Sequence, residues 1–199
     1  GGAYKDIRIT TRYNQNNFVE SLMGVLHETG HALYNLGLPD KWKYQPVGDS
    51  LGTVIHESQS LLMEMQICRS LEFLRFATPF IQKVFKREGK KWNYLNLYKV
   101  YTYVSPSFIR VDADEVTYPL HVIIRYKIEK ELINGNIEVD EIPKIWKIYM
   151  KKYLGIFPKN DQEGCLQDIH WYDGTFGYFP TYTLGALYAA QIFSKAKKQ

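Results

Sequence analysis

The residues with the clearest chemical meaning are His27-Glu28-Thr29-Gly30-His31, an H-E-x-x-H pattern. On a helix, two histidines four positions apart lie one turn from each other on the same face, so both imidazoles can bind one metal ion. Glu28 projects beside them and is placed to accept a proton from an attacking water molecule. The pattern predicts a hydrolytic metal centre, and the structural alternative is a buried helix with two hydrogen-bonded histidines.

A catalytic zinc ion needs a third protein ligand and keeps one position open for water. In one broad class of zinc enzymes, that ligand is a glutamate from the next helix. Glu57 follows His31 after a loop and is the predicted third ligand, and Glu64, which has fewer polar neighbours in the sequence, is the alternative. His56, next to Glu57, is either a group that supports the site or a core residue.

Two predicted helices carry these ligands. Apolar residues recur at helical spacing through residues 17–36, and a glycine follows them as a stop. A second helix is predicted from the cap residues Asp49 or Ser50 to about Phe76, and Pro79 fits its end. The Gly- and Pro-rich stretch between the two indicates a loop long enough to make them antiparallel.

The remaining pattern is also mostly helical. Residues 6–13 alternate with period two and predict a short strand, whereas residues 80–103 indicate a shorter helical segment with a break. Three further helices are predicted, over residues 113–133 with a kink at Pro119, from Pro143 to Gly155, and over residues 182–195. The expected fold class is mainly α, with a short β strand or hairpin near the N-terminus.

The composition excludes several classes of protein. The 199 residues are 45% hydrophobic and 23% charged, which is typical of a single soluble globular domain, expected here over residues 1–199. A net charge of +4 with dispersed lysines is not a nucleic-acid footprint. No apolar run is long enough to span a membrane. The distant cysteines Cys68 and Cys165 indicate reduced thiols and a cytoplasmic location.

Several ordered motifs resemble those of the carboxypeptidase Taq family, the thermostable carboxypeptidases. The H-E-x-x-H pattern is one of them, and a His-Glu-Ser element at His56 is present with altered spacing. The other motifs are Asp-x-Arg-x-Thr at Asp6, Arg8 and Thr10, Ile-Arg-x-x-Ala-Asp at Ile109, Arg110, Ala113 and Asp114, and Gly-x-x-Gln-Asp-x-His-Trp at Gly164, Gln167, Asp168, His170 and Trp171. The resemblance spans nearly the whole chain.

The resemblance implies a gluzincin-like, multi-helix metallopeptidase core with a deep cleft and a single zinc or cobalt ion. It implies a hydrolase that removes the C-terminal residue from peptides, and a homodimer as the expected assembly. Family members are longer, and a His-Pro-Phe element that usually lies upstream is absent here. The chain is therefore expected to be a fragment of a longer helical carboxypeptidase.

Residues outside the zinc motif are expected to complete the site. His170, with Tyr178 or Tyr182, is a candidate donor set for the oxyanion because this aromatic stretch resembles that of related gluzincins. Packing is the alternative for these three residues. Arg110, and after it Arg8, is the candidate partner for the free carboxylate of a substrate, since a guanidinium suits a carboxylate. A structural ion pair is the alternative for both arginines.

Two other functions remain open at this stage. A metalloendopeptidase of the same broad class would lack a carboxylate clamp and would cleave amidated peptides equally well. A metal-stabilised binding or dimerisation fragment would hold the ion without turnover, because the missing helices would build the other wall of the cleft.

Overall fold

The computed structural model of this chain describes residues 2–3 and 5–199. This part of the chain contains seven α-helices, which are α1 (Phe18–Leu36), α2 (Gly52–Leu61), α3 (Leu71–Phe85), α4 (Tyr94–Tyr101), α5 (Tyr118–Ile133), α6 (Ile142–Leu154) and α7 (Pro180–Ala196). Two short antiparallel strands precede them, β1 (Gly2–Ala3) and β2 (Asp6–Ile7). The predicted mainly α fold with a hairpin near the N-terminus is confirmed.

The chain forms two compact units. The first contains the residues up to Tyr101 together with Leu184–Gln199, and the second contains Thr102–Thr183. The expectation of a single catalytic domain over residues 1–199 stays a prediction. No helix in the described residues is long and apolar enough to cross a membrane.

Helix α1 begins and ends where its sequence predicts. The Asn17 side chain accepts a hydrogen bond from the amide of Glu20, and Gly37 lies at the C-terminal end. On the inner side of α1, Met23 packs with Leu74 of α3 and with Tyr101 of α4. These contacts partly bury the N-terminal half of the apolar stripe of α1, where Val19, Leu22 and Leu26 pack against the same cluster.

Helices α1 and α2 approach so closely that their backbones touch. Gly30 is buried, and a Cβ atom added there would lie 2.4 Å from the carbonyl oxygen of Gln59 and 2.6 Å from the Cα of Ser60. Only a glycine allows this approach, because the atoms it meets belong to backbone and cannot rotate away. The crossing sets α1 against the part of α2 that carries Glu57.

The predicted second helix is wrong in its length. Helix α2 continues into a π-helical turn, Leu62–Ile67, and Ser70 then caps a new helix, α3, by accepting from the amide of Phe73. Pro79 lies inside α3 and does not end it. The buried residues Leu74, Ala77 and Ile81 form one stripe on both sides of Pro79, and this packing outweighs the missing backbone hydrogen bond.

Two other predictions about secondary structure need correction. The predicted strand over residues 6–13 is limited to Asp6–Ile7, since residues 8–13 have no strand partner. Pro119 does not kink a helix that starts at residue 113, because it lies in the first turn of α5, where a missing N–H costs nothing. The helices predicted from Pro143 and over residues 182–195 are confirmed as α6 and α7.

The second unit is built on the contact between α5 and α6. Apolar side chains from both helices form its core, with Ile124, Ile128, Trp146 and Met150 fully buried and Leu154 nearly so. Trp171, from the segment that follows α6, packs on the same core. Burial of the apolar faces of the two helices therefore stabilises this unit.

A buried charge cluster attaches residues 164–171 to α5. Arg125 is 0% exposed, and its Nε donates to Asp168 Oδ2 while its Nη2 donates to Gln167 Oε1 at 2.7 Å. Arg110 Nε donates to Asp168 Oδ1 at 2.9 Å. Burial alone would raise the pKa of Asp168, but the two guanidinium groups lower it below its ordinary value. The carboxylate is therefore charged and holds two arginines at once.

Replacement of Gly30 by alanine should destabilise the first unit by about 2 kcal/mol, because the new methyl group must displace the backbone of α2. Gly24→Ala on the same helix is the matched control, since its Cβ would meet only the hydroxyl of Thr11 at 3.2 Å. Urea denaturation followed by far-ultraviolet circular dichroism measures both. Equal free energies of unfolding for the two variants would contradict the close crossing.

The second unit should lose stability as the pH falls from about 6.5 to about 4. Burial and the charges of Arg125 and Arg110 lower the pKa of His121 to about 4, from 6.5. Between these pH values His121 is protonated in the unfolded chain and neutral in the folded protein, so acid favours unfolding. The free energy of unfolding should fall by roughly 3 kcal/mol at the lower pH. Urea denaturation across this pH range should show that the free energy of unfolding depends less on pH in His121→Gln than in the wild type. An equal pH dependence in variant and wild type would contradict the lowered pKa of His121.

Candidate metal centre

Three side chains from two helices converge on one point. His27 and His31 lie one turn apart on α1, and Glu57 lies on α2, with one ligand atom from each within 4.8 Å of the others. His31 Nε2 lies 3.4 Å from Glu57 Oε2, and His27 Nε2 lies 3.8 Å from Glu57 Oε1. The structure thus brings together the three residues that the sequence singled out as metal ligands.

The donor set fits a divalent metal ion. Bond lengths of about 2.1 Å place the ligand atoms of a tetrahedral ion about 3.4 Å apart, close to the separations seen here. Glu57 is buried, and among residues 5–199 no lysine or arginine pairs with its carboxylate. A cation between the imidazoles and Glu57 would compensate this buried charge.

Helix α7 restricts the position of Glu57 from the other side. A Cβ atom on Gly185 would lie 3.1 Å from Cγ of Glu57 and 3.2 Å from its Cβ, so a larger residue would press on the carboxylate. Gly185 is itself buried. The backbone of α7 therefore lies directly against Glu57 and keeps it directed toward the histidines.

Glu64, the alternative third ligand, contacts the other side of His27. Its Oε2 lies 2.9 Å from His27 Nδ1, and its Oε1 accepts from Arg69 Nη2 at 2.9 Å. Burial lowers the pKa of His27, but the hydrogen bond to Glu64 and the charges of Glu57 and Glu64 outweigh it and raise the pKa. Glu57 and not Glu64 completes the three-residue group.

His31 has different surroundings. Its ring stacks on that of His56 with 4.4 Å between centroids, and His56 Nε2 lies 3.1 Å from Asn35 Oδ1. Burial and the neighbouring His31 lower the pKa of His56, which favours its neutral form. His56 packs directly on His31, and a supporting role for it in the candidate site stays a prediction.

Glu28 lies half-buried on α1, between the two histidines in sequence. Among the described residues 5–199, its carboxylate makes no hydrogen bond or ion pair. It is therefore available to accept a proton, unlike Glu57 and Glu64, whose oxygens face imidazole and guanidinium groups.

The predicted residues of the second unit form a separate cluster. His170 Nε2 lies 2.9 Å from the hydroxyl of Tyr182, and the ring of His170 lies 5.4 Å from that of Tyr178. The guanidinium of Arg110 lies 4.7 Å from the centre of the Tyr182 ring. Burial, followed by the charge of Arg110, lowers the pKa of His170, so its imidazole is neutral near pH 7.

Both candidate arginines already have acidic partners. Arg110 is 5% exposed, and besides Asp168 it donates from Nη1 to the hydroxyl of Tyr118 at 2.6 Å. Arg8 is exposed at the surface and pairs with Asp6, with 2.8 Å between Nη2 and Oδ2. The structural ion pairs that the sequence left as alternatives are therefore present, and a role in carboxylate binding remains a prediction for both.

Sequence reasoning missed three supporting residues. Arg69 and Arg125 each hold a carboxylate, and Glu129 accepts from Trp171 Nε1 at 2.7 Å and from the amide of Gly177. Glu129 thereby attaches the loop before Tyr178 to α5. For Arg125 and Glu129 the available signal was a charged residue at an apolar position of a helix, since such a residue needs a partner in the fold.

Comparison with known proteins agrees with this geometry. The sequence profile of the Carboxypeptidase Taq (M32) metallopeptidase family matches residues 1–199. Thermostable carboxypeptidase 1 of Thermus thermophilus is 44% identical over 194 residues, which are 98% of this chain and 38% of the relative. Carboxypeptidase 1 of Bacillus subtilis is 42% identical, over 96% of this chain and 38% of the relative.

Solved structures give the same result. Metallocarboxypeptidase 1 of Trypanosoma cruzi superposes with a TM-score of 0.93 at 48% identity, over 98% of this chain and 39% of the other. A carboxypeptidase of Pyrococcus furiosus superposes with a TM-score of 0.90 at 38% identity, over 97% of this chain and 39% of the other. The chain thus spans less than two fifths of its relatives, and the expected difference in length is present. With the profile match over its whole length and the convergent ligands on α1 and α2, the chain belongs to the carboxypeptidase Taq (M32) family of metallopeptidases.

Proposed function

We propose that this chain carries the metal centre of a carboxypeptidase, which hydrolyses the C-terminal peptide bond of peptides. The observation that carries the proposal is the convergence of His27, His31 and Glu57, with the unpaired carboxylate of Glu28 on the same helix. The names of the relatives, which are carboxypeptidases, support the substrate class. Zinc is the proposed ion because two imidazoles and one carboxylate form a known catalytic zinc set, and cobalt is the alternative.

The residues of the metal centre have different tasks. His27, His31 and Glu57 would hold the ion through two imidazoles and one carboxylate. A divalent ion held there supplies Lewis acidity, which favours attack by water near neutral pH. Glu28 accepts the proton of the attacking water and then donates it to the leaving amine.

The cluster of the second unit is proposed to assist the reaction. His170 and Tyr178 would donate hydrogen bonds to the developing oxyanion, and Tyr182 would contact the substrate. The proximity of the His170 and Tyr178 rings, with 5.4 Å between centroids, supports this role, because an imidazole N–H and a phenol O–H are both donors. Arg110, or else Arg8, is proposed to bind the terminal carboxylate of the peptide.

Two specific observations favour other functions. The ion pair between Arg110 and Asp168 favours an endopeptidase, since such an enzyme needs no free guanidinium to bind a terminal carboxylate. The coverage of 38% of the curated relatives favours a fragment that binds metal without turnover.

The proposal includes a cytoplasmic location and a homodimeric assembly. The unpaired Cys68 and Cys165 support a cytoplasmic location, and homodimerisation stays an expectation from the family resemblance.

The wild-type chain should retain about one zinc ion after dialysis, and Glu57→Gln should retain much less, because a neutral amide is a poor zinc ligand. Atomic emission spectroscopy measures the metal content, and removal of zinc by a chelator should also lower the melting temperature of the wild type. Glu20→Gln, an exposed change on α1, is the matched control and should bind zinc as the wild type does. Equal zinc content in Glu57→Gln and wild type would contradict the assigned ligands.

Replacement of Glu28 by glutamine should leave zinc binding intact and lower peptide hydrolysis by about a thousand-fold, because proton transfer is lost. The assay compares release of the last residue from a free-acid peptide and from its amide. Trimming of the free acid alone supports the carboxypeptidase. Equal cleavage of both supports the endopeptidase, and zinc binding without turnover supports the inactive fragment.

A further inference from the structure

The two nitrogens of His27 face different carboxylates. Nε2 is directed toward Glu57, at 3.8 Å from Oε1, whereas Nδ1 lies 2.9 Å from Oε2 of Glu64. The first distance leaves room for an ion between the two atoms, and the second is a hydrogen bond. Glu64 therefore contacts the metal ligand and lies outside the group of ligand atoms.

The contact with Glu64 selects the tautomer of His27. An ionised carboxylate only accepts hydrogen bonds, so the proton of a neutral imidazole must lie on Nδ1. The lone pair then lies on Nε2, which is the nitrogen directed toward Glu57. Without an acceptor at Nδ1 the proton could occupy either nitrogen, and part of the population would be unable to bind metal through Nε2.

Glu64 is in turn held by Arg69, which lies in the turn between the π-helical turn and α3. Its other oxygen, Oε1, accepts from Arg69 Nη2 at 2.9 Å, and the side chains of both residues are about 85% buried, with 14% and 15% exposed. Each carboxylate oxygen thus has its own donor. The low exposure of both side chains strengthens both interactions.

The π-helical turn Leu62–Ile67 explains how Glu64 reaches this position. The amide of Cys68 bonds to the carbonyl of Met63, five residues earlier, at 3.0 Å. Such turns are wider than α-helical turns and occur often at functional sites. Here the turn contains the one carboxylate that contacts His27 from the side opposite Glu57.

His31 lacks an equivalent anchor. Its Nδ1 is buried, and within residues 5–199 it has no hydrogen-bond partner, so its ring is oriented by stacking on His56. The two histidine ligands are therefore oriented by different interactions. A change at Glu64 should act on His27 and leave His31 in place.

From these contacts we propose that Glu64 is a positioning residue, which fixes the metal-binding tautomer and orientation of His27 and is itself held by Arg69. The inference rests on the proposed function, because it needs His27 to be a metal ligand. Carboxylates that accept from the second nitrogen of a ligating histidine commonly contribute ten-fold to a hundred-fold to metal affinity, and Glu64 is placed for that role.

The test compares the zinc affinity of four forms of this chain by competition with a chelating dye. Glu64→Gln removes the charge and keeps an acceptor, and should bind zinc about ten-fold more weakly than the wild type. Glu64→Leu with Arg69→Met removes the whole pair and should bind about a hundred-fold more weakly. Glu88→Gln, an exposed carboxylate outside these contacts, is the control and should be unchanged.

The double variant also keeps the test valid if Glu64→Gln fails to fold. It replaces a buried ion pair by apolar groups of similar size, a change that folded proteins commonly tolerate. Circular dichroism of the metal-free forms checks this. An effect that is only structural would weaken folding without lowering the zinc affinity of the folded form.

Nitrogen NMR of the zinc-loaded chain supplies a second readout. In the wild type, the His27 ring should show a slowly exchanging proton on Nδ1, and in the double variant that proton should exchange rapidly with water. A folded double variant with wild-type zinc affinity, or zinc bound to Nδ1 of His27, would overturn the role of Glu64 while the metal site stands. A wild-type chain that binds no zinc would overturn the proposed function, and this inference with it.

Discussion

The candidate metal centre depends on one steric constraint, the close contact between α1 and α2 at Gly30. A side chain as small as a methyl group would overlap the carbonyl of Gln59, so the two backbones touch only because this position has none. His27 and His31 lie on either side of Gly30 along α1, and Glu57 lies two residues before Gln59 on α2. The distance between the helices therefore sets the distance between the imidazoles and the carboxylate.

A second constraint, the compensation of buried charge, organises the acidic residues around the site. A buried carboxylate needs a cation or several donors, because desolvation otherwise favours its neutral form. Glu64 faces His27 and Arg69, and Asp168 in the second unit faces Arg110 and Arg125. Glu57 is the exception, since it faces only imidazoles among the described residues. This difference between the acidic residues is the physical reason to assign the metal ion to Glu57.

Much of the local structure followed from the sequence. The wrong predictions share one cause, which is that a local signal was outweighed by packing. The apolar spacing and the glycine stop at Gly37 placed α1 correctly, since both signals depend on residues close together in the sequence. Pro79 was a misleading local signal, because the apolar stripe of α3 continues past it and packing stabilises the helix. Helix α3 begins after Ser70, which accepts a capping hydrogen bond from the amide of Phe73. A serine at this point of a sequence is only a weak signal for a new helix.

The sequence by itself determined the family, the helix with its paired histidines, and Glu57 and Glu64 as the two candidates for a third ligand. These features depend on residue type and on spacing along one chain segment. Only the tertiary structure decided that Glu57 faces Nε2 of His27 while Glu64 bonds to Nδ1, and that Arg110 is paired with Asp168. Those contacts depend on how closely two helices cross and on a wide helical turn, and spacing along the chain specifies neither.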